Sequence, residues 1–113
     1  PPGYTEDNSR SGELYNLFLE MLGRFYYRYS DVAFYAEQLG VSARYLGQVT
    51  RNIAQRSPKA IIDERITEEI TQLLTTNKPL KEIAQMLGFS SQAHLSRFFK
   101  KQKGQAPSAL RQK

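Results

Sequence analysis

Between residues 92 and 101 the chain reads QAHLSRFFKK, and its polar side chains gather on one side of a helix. Ala93, Ser96, Arg97 and Lys100 fall at i, i+3, i+4 and i+7, while Leu95, Phe98 and Phe99 take the other side. A guanidinium such as that of Arg97 can hold O6 and N7 of a guanine together, or it can serve in a surface salt bridge. Gln92 can pair with N6 and N7 of adenine, or cap its own helix. Ala93 can offer only apolar contact, for instance to a thymine methyl. Lys100 and Lys101 are point charges suited to phosphate oxygens, which position a protein without reading sequence. Ser91, His94 and Ser96 complete the set as phosphate or groove-edge candidates. His94 is the single histidine of a chain with no cysteine, so it is a poor metal ligand and no metal or other cofactor is expected.

A second set precedes the first. Arg44, Gly47, Gln48 and Arg51 share the same i, i+3, i+4, i+7 spacing, with Leu46, Val49 and Ile53 directed inward. Arg44 and Gln48 can reach base edges, and Gly47 leaves their face bare enough for close backbone approach. Ser42, Tyr45 and Arg51 are the corresponding phosphate or groove-edge candidates. The two sets form an internal repeat. Gly40 pairs with Gly88 at an offset of 48, and Leu46 with Leu95, Arg51 with Lys100 and Pro58 with Pro107 at 49.

The elements that must carry these residues follow from the same stretches. Leu80, Ile83, Ala84 and Leu87 make one face of a short helix, which Gly88-Phe89-Ser90 interrupts. Ser91 or Ser90 can cap the next helix, Gly104 suits its left-handed end, and Pro107 lies just beyond. A short helix, a glycine turn and a second helix with an apolar back and a basic front make a helix-turn-helix, whose second helix enters the DNA major groove. Upstream, Gly40-Val41-Ser42 repeats the turn between a helix from Asp31 to about Leu39 and one from about Ser42 to Ala54.

Residues 1–10 show no periodicity and are expected to be a disordered stub, and the Pro1-Pro2-Gly3 start reads as a processed or cut-down piece. From Ser11, an apolar stripe of Leu14, Leu17, Phe18, Met21, Leu22 and Phe25 marks a helix. Phe25, Tyr26, Tyr27 and Tyr29 then form a cluster that suits core packing better than base stacking. Pro58 opens a linker helix to about Thr76, with Ile61, Ile62, Ile66, Ile70, Leu73 and Leu74 as its stripe. Its length, roughly 28 Å, is close to the roughly 34 Å between successive major grooves on one face of a duplex. The expected organisation is therefore a first unit over 11–57, a linker helix over 58–76 and a second unit over 77–113. Residues 11–113 would form one compact domain.

The segments IAQMLGFSS, HLSRFF and KKQKG, with the Pro-Ser of APSALR, resemble the AraC/XylS family of bacterial transcription regulators. The likeness covers about residues 31–111 and is most specific in its second half. It implies an all-α, seven-helix DNA-binding domain in which two helix-turn-helix units are joined by a long helix. In that family the base-contacting positions of the later recognition helix correspond to Gln92, Ala93 and Arg97. It also implies an upstream sensory or dimerising domain, contact with RNA polymerase, and a place in the bacterial cytoplasm at the nucleoid. The first unit departs from the pattern. Leu46-Gly47-Gln48 stands where Leu-polar-Arg is usual, Thr50 replaces an aromatic, Gln55 replaces the closing glycine, and Leu110 replaces a tyrosine. Weaker base reading is therefore expected from the first unit.

Charge supports the same reading. Residues 1–37 hold three Arg against six Asp/Glu, for −3; residues 38–76 hold five basic against four acidic, for +1; residues 77–113 hold eight against one, for +7. A basic end on a nearly neutral body is the footprint of phosphate binding, although a solvated basic tail would give the same balance. A basic module docking an acidic protein such as a polymerase subunit is the rival reading. A second copy of the reading face speaks against it. No paired carboxylates, nucleophile–base set or phosphate-cradling loop appears, so an enzyme is not expected. No apolar run reaches 18 residues, so no membrane span is expected.

Overall fold

The computed structural model describes residues 2–26 and 31–111, with side-chain surroundings from Arg10 onward. Tyr27 and Tyr29 of the aromatic cluster, and Pro1 of the N-terminal stretch, lie outside the described residues. Among those described the chain is all-α: α1 (Pro2–Phe25), α2 (Val32–Gln38), α3 (Ala43–Ala54), α4 (Pro58–Leu73), α5 (Leu80–Met86), α6 (Gln92–Lys103) and α7 (Pro107–Arg111). Among the described residues they pack as two compact units, residues 2–25 with 31–62, and Tyr26 with residues 63–111. The linker helix is thus not a segment of its own. Residues 58–62 of α4 belong to the first unit and residues 63–73 to the second.

In the first unit the core is built on aromatic edges. Phe18 and Tyr35 are both fully buried and meet edge to face at 5.6 Å. Phe34 continues the chain at 5.1 Å from Tyr35, and Phe25 lies 5.9 Å from Phe34. Such pairs add about 0.5–1.5 kcal/mol each beyond their buried area. Burial pushes the Tyr35 hydroxyl up to about 12, because the phenolate would lose its hydration. Leu22, Leu46, Val49, Ile61 and Ile62 close the core. Two expectations for this unit need correction. Helix α1 already runs from Pro2, where composition gave an irregular stub over 1–10. Once a downstream stripe is helical, each added residue costs little compared with starting a new helix. Leu17, placed in the apolar stripe by spacing, is 50% exposed, since Phe18 and Leu22 take the buried line.

Local chemistry sets each boundary around α2 and α3. Asp31 accepts the Ala33 N–H at 3.0 Å at the start of α2. Gly40, at φ 72°, turns the chain out of it while the Val41 N–H donates to the Ala36 carbonyl. Ser42 then caps α3 by accepting the Tyr45 N–H at 3.0 Å. At its far end Gln55 adopts the left-handed conformation, φ 56°, which Gly104 supplies in the repeat at φ 81°. A side chain there costs about 1–2 kcal/mol, less roughly 0.5–1 for the entropy a glycine would lose on folding. Gln55→Gly is therefore expected to stabilise the chain by about 0.5–1 kcal/mol, read as a higher urea midpoint at unchanged m-value. A lowered midpoint would mean that the Gln55 amide, which donates to the Asn52 carbonyl, outweighs the backbone strain.

The second unit packs Ile66 and Ile70 of α4, and Leu74 just beyond it, with Ile83, Ala84, Leu87, Leu95, Phe99 and Pro107. The guanidinium of Arg65 lies 4.4 Å from the centre of the Tyr26 ring, a cation–π contact on that core's edge. Helix α4 ends at Leu73, three residues before the expected Thr76. Its last carbonyls leave the helical ladder for other donors. The Arg111 side chain reaches the Leu73, Leu74 and Thr76 carbonyls at 3.2–3.3 Å, and the Thr76 hydroxyl donates to Leu73 at 2.6 Å. Gly88, at φ 81°, makes the turn from α5 while Phe89 N–H returns to the Ala84 carbonyl at 2.9 Å.

Candidate nucleic-acid interface

Helix α6 starts where Ser91, and not Gln92, provides the cap: its hydroxyl accepts the His94 N–H at 3.0 Å. That leaves the Gln92 side chain exposed at the first turn. Leu95 and Phe99 are fully buried, which fixes the rotation of the helix about its axis. With that face held down, Ala93, His94, Arg97, Lys100 and Lys101 are exposed and Ser96 is half-buried. The turn before α6 also opens a cleft of ≈ 270 Å³ lined by Lys81, Ala84, Gln85, Ser90, Ser91 and Gln92. Lys81 was not among the residues singled out by spacing. Its position on the exposed side of α5, away from Ile83, was the available signal.

Helix α3 is held the same way by Leu46, Val49 and Thr50, all buried. Thr50 takes the place of Phe99 in the repeat, and its hydroxyl is satisfied by donating to the Gly47 carbonyl at 3.2 Å. Ser42, Arg44, Tyr45, Gln48 and Arg51 are exposed. Gly47 is not on that face. It is buried, and a Cβ built on it would lie 2.8 Å from Nη1 of Arg51 and 3.9 Å from Cδ of Pro58. The reading of Gly47 as bare surface for DNA to approach is corrected: the missing side chain seats the Arg51 guanidinium. Its repeat partner Ser96 is half-buried. Ile53, expected inside, is 40% exposed because Thr50 occupies the inward line. Tyr45 also borders a largely apolar cleft of ≈ 410 Å³ with Leu14, Leu17 and Val41, so part of its ring serves the surface of α1.

The seat at Gly47 yields a test. An alanine methyl must displace only the far end of a flexible arginine, and it removes a mid-helix glycine worth about 1 kcal/mol in propensity. Gly47→Ala is expected to raise stability by a few tenths to about 1 kcal/mol, measured by denaturant unfolding. A loss of stability would show that the Arg51 guanidinium is held there more firmly than its chain flexibility suggests.

The cations sort into two kinds. Arg24, Arg65 and Lys78 pair with Glu20, Glu69 and Glu82, each at i and i+4. Arg111 is engaged by backbone carbonyls. Among the described residues, no ion pair engages Arg44, Arg51, Arg97, Lys100 or Lys101. The salt-bridge alternative for Arg97 therefore has no partner here. Five cations on the exposed faces of two helices, each face fixed by a buried back, are free to meet an anion. Among the described residues, no helix is long and apolar enough to cross a membrane.

A family model for a helix-turn-helix domain matches residues 35–113, most of the chain and both turns. The chain belongs to the AraC-type helix-turn-helix family. A relative of 28% identity is the raffinose operon transcriptional regulatory protein RafR of Pediococcus pentosaceus, similar over 98% of this chain and 40% of that protein. The chain thus spans less than half the length of that relative. A solved AraC-type regulator from Chromobacterium violaceum shares the fold at a TM-score of 0.78 and 22% identity, covering 92% of this chain and 94% of that one. The C-terminal domain of AraT, a response regulator from Geobacillus stearothermophilus, matches at a TM-score of 0.76 and 26% identity, covering 88% and 83%. The AraC-type domain is a DNA-binding domain of transcription regulators.

Proposed function

We propose that this AraC-type domain binds duplex DNA sequence-specifically, with α3 and α6 as recognition helices entering neighbouring major-groove segments. The observation that carries the reading is the pair of exposed rows, Arg44, Gln48 and Arg51 on α3, and Gln92, Arg97, Lys100 and Lys101 on α6, with no competing ion pair on their cations. In the repeat Gln48 stands where Arg97 does. Arg97 can take guanine bidentately and Gln48 adenine, so the two helices would favour different bases. Lys100, Lys101 and Arg51 hold phosphates and set the register. Ala93 limits its position to apolar contact. By family likeness the domain works within a longer regulator that carries a sensory or dimerising part and contacts RNA polymerase in the bacterial cytoplasm.

Selection of bound duplexes from a random pool supplies the preferred site. On that site Arg97→Ala is expected to cost about 1–3 kcal/mol and to relax one or two adjacent base positions. Gln48→Ala is expected to relax a different position, and by less. If Arg97→Ala leaves the base preferences intact while Gln48→Ala erases them, the first helix is the principal reader. If no duplex is enriched and an acidic protein binds instead, the domain is a docking module.

A further inference from the structure

His94 sits at the third position of α6 and is tied back to the residue before the cap. Its Nδ1 lies 3.4 Å from the Ser90 backbone nitrogen and 3.1 Å from the Ser90 hydroxyl. The backbone N–H can only donate, so Nδ1 must be the bare, accepting nitrogen of the ring. One lone pair shared by two donors accounts for both contacts being long. The arrangement is reciprocal, because the His94 N–H donates to the Ser91 hydroxyl at 3.0 Å. It is the pattern of a capping box, with imidazole in place of the usual Glu or Gln and the backbone donor moved back by one residue, from Ser91 to Ser90.

Two rings complete the clamp. Phe89 meets the His94 ring edge to face at 5.1 Å, and Phe89 is itself packed on Phe98 at 5.4 Å. The imidazole is thus fixed in both rotation and tautomer while its residue remains exposed. The proton of the neutral ring must then be on Nε2, across the ring from Ser90. We infer that His94 is an orientation-locked hydrogen-bond donor at the start of α6, reading an acceptor on DNA through Nε2–H. The acceptor is a phosphate oxygen or a purine N7 or O6, and a base that offers only an amino donor is rejected. This inference rests on α6 being a recognition helix. It adds that Ser90 and Phe89, which need touch no DNA, determine what His94 can recognise.

His94 is the only histidine, so nitrogen-15 NMR of the free chain reports its tautomer without assignment ambiguity. Protonated Nε2 and bare Nδ1 are expected; the opposite tautomer overturns the inference whether or not DNA is bound. On the selected duplex, His94→Gln places an amide N–H near Nε2, whereas His94→Asn keeps a group near Nδ1 but no outward donor. Binding is expected to stay within about 3-fold for His94→Gln and to fall roughly 10-fold for His94→Asn, a loss on the scale of one hydrogen bond to a charged or strongly polar acceptor. Single methylphosphonate substitutions and single base changes, tested with both variants, separate the sources. If His94→Asn loses nothing further from either, or binds as the unaltered chain does, His94 is a cap alone. Absence of sequence-selective duplex binding by the unaltered chain would instead refute the recognition-helix reading itself, a different result from any of these.

Discussion

Affinity for the preferred duplex is expected to fall by about 40-fold or more between roughly 50 and 200 mM salt, reaching about 500-fold if Arg44 and Arg97 neutralise phosphate as well. Each phosphate neutralised by a cation releases condensed counterions, contributing about 0.9 to the slope of log affinity against log salt. Arg44, Arg51, Arg97, Lys100 and Lys101 are exposed and carry no ion pair; Arg51, Lys100 and Lys101 on phosphates give a slope of about −2.7, and all five at phosphates or their immediate edge would give about −4.5. Cations already matched to carboxylates, such as Arg24 and Lys78, would add little, because each must first give up its carboxylate before it can neutralise a phosphate. Fluorescence anisotropy of a labelled duplex across a salt series measures the slope. A slope shallower than about −2 would mean that fewer than half of these residues face the phosphates. Random duplex should show a similar slope with weaker absolute binding, because phosphate contacts carry no sequence information.

Phe99→Ala is expected to destabilise the chain by about 3–5 kcal/mol, the cost of a large buried ring plus the cavity it leaves. Phe99 is fully buried and fixes, with Leu95, which side of α6 is outward. The loss is a large share of the 5–15 kcal/mol that holds a typical domain folded. Phe98→Ala should cost less, since that ring is only half-buried. Urea unfolding monitored by circular dichroism gives both values. A Phe99→Ala loss under about 1 kcal/mol would show that the core can collapse around the gap, and that Leu95 alone anchors the helix. DNA binding should fall with Phe99→Ala below its unfolding midpoint as well, because Arg97 and Lys100 depend on that buried back for their direction.

Much of this was legible in the chain. The two turns were readable because Gly40 and Gly88 take a left-handed backbone at φ 72° and 81°, which few other residues adopt cheaply. The buried line of α6 was readable because 3.6-residue periodicity needs only the helix itself. Serine caps were readable for the same local reason, and Ser42 and Ser91 both form them. The face of α3 was read less well. Spacing put Gly47 outward and Ile53 inward, whereas Gly47 is covered and Ile53 is 40% exposed. A threonine does not look like a core residue, so the line through Leu46, Val49 and Thr50 had no hydrophobic signal at its third point.

The sequence by itself determined the repeat, the first six helices, the two glycine turns and the cation rows, since each rests on interactions within a few residues; the seventh helix, α7, was implied only by the family resemblance. Only the tertiary structure decided which partner a given side chain or carbonyl takes, near or far along the chain. Arg111 reaches back 37 residues to the carbonyl of Leu74 and helps to close α4 early. Arg51 folds over Gly47 beside Pro58 and turns an apparent opening into a covered seat. Gln55 takes a left-handed backbone that its residue type does not favour, which marks strain carried by the fold. Ser90 clamps His94 through a backbone N–H, a donor present at nearly every position and therefore invisible in the choice of residue. In each case the deciding partner is backbone or a side chain placed by packing, and residue spacing carries no record of either.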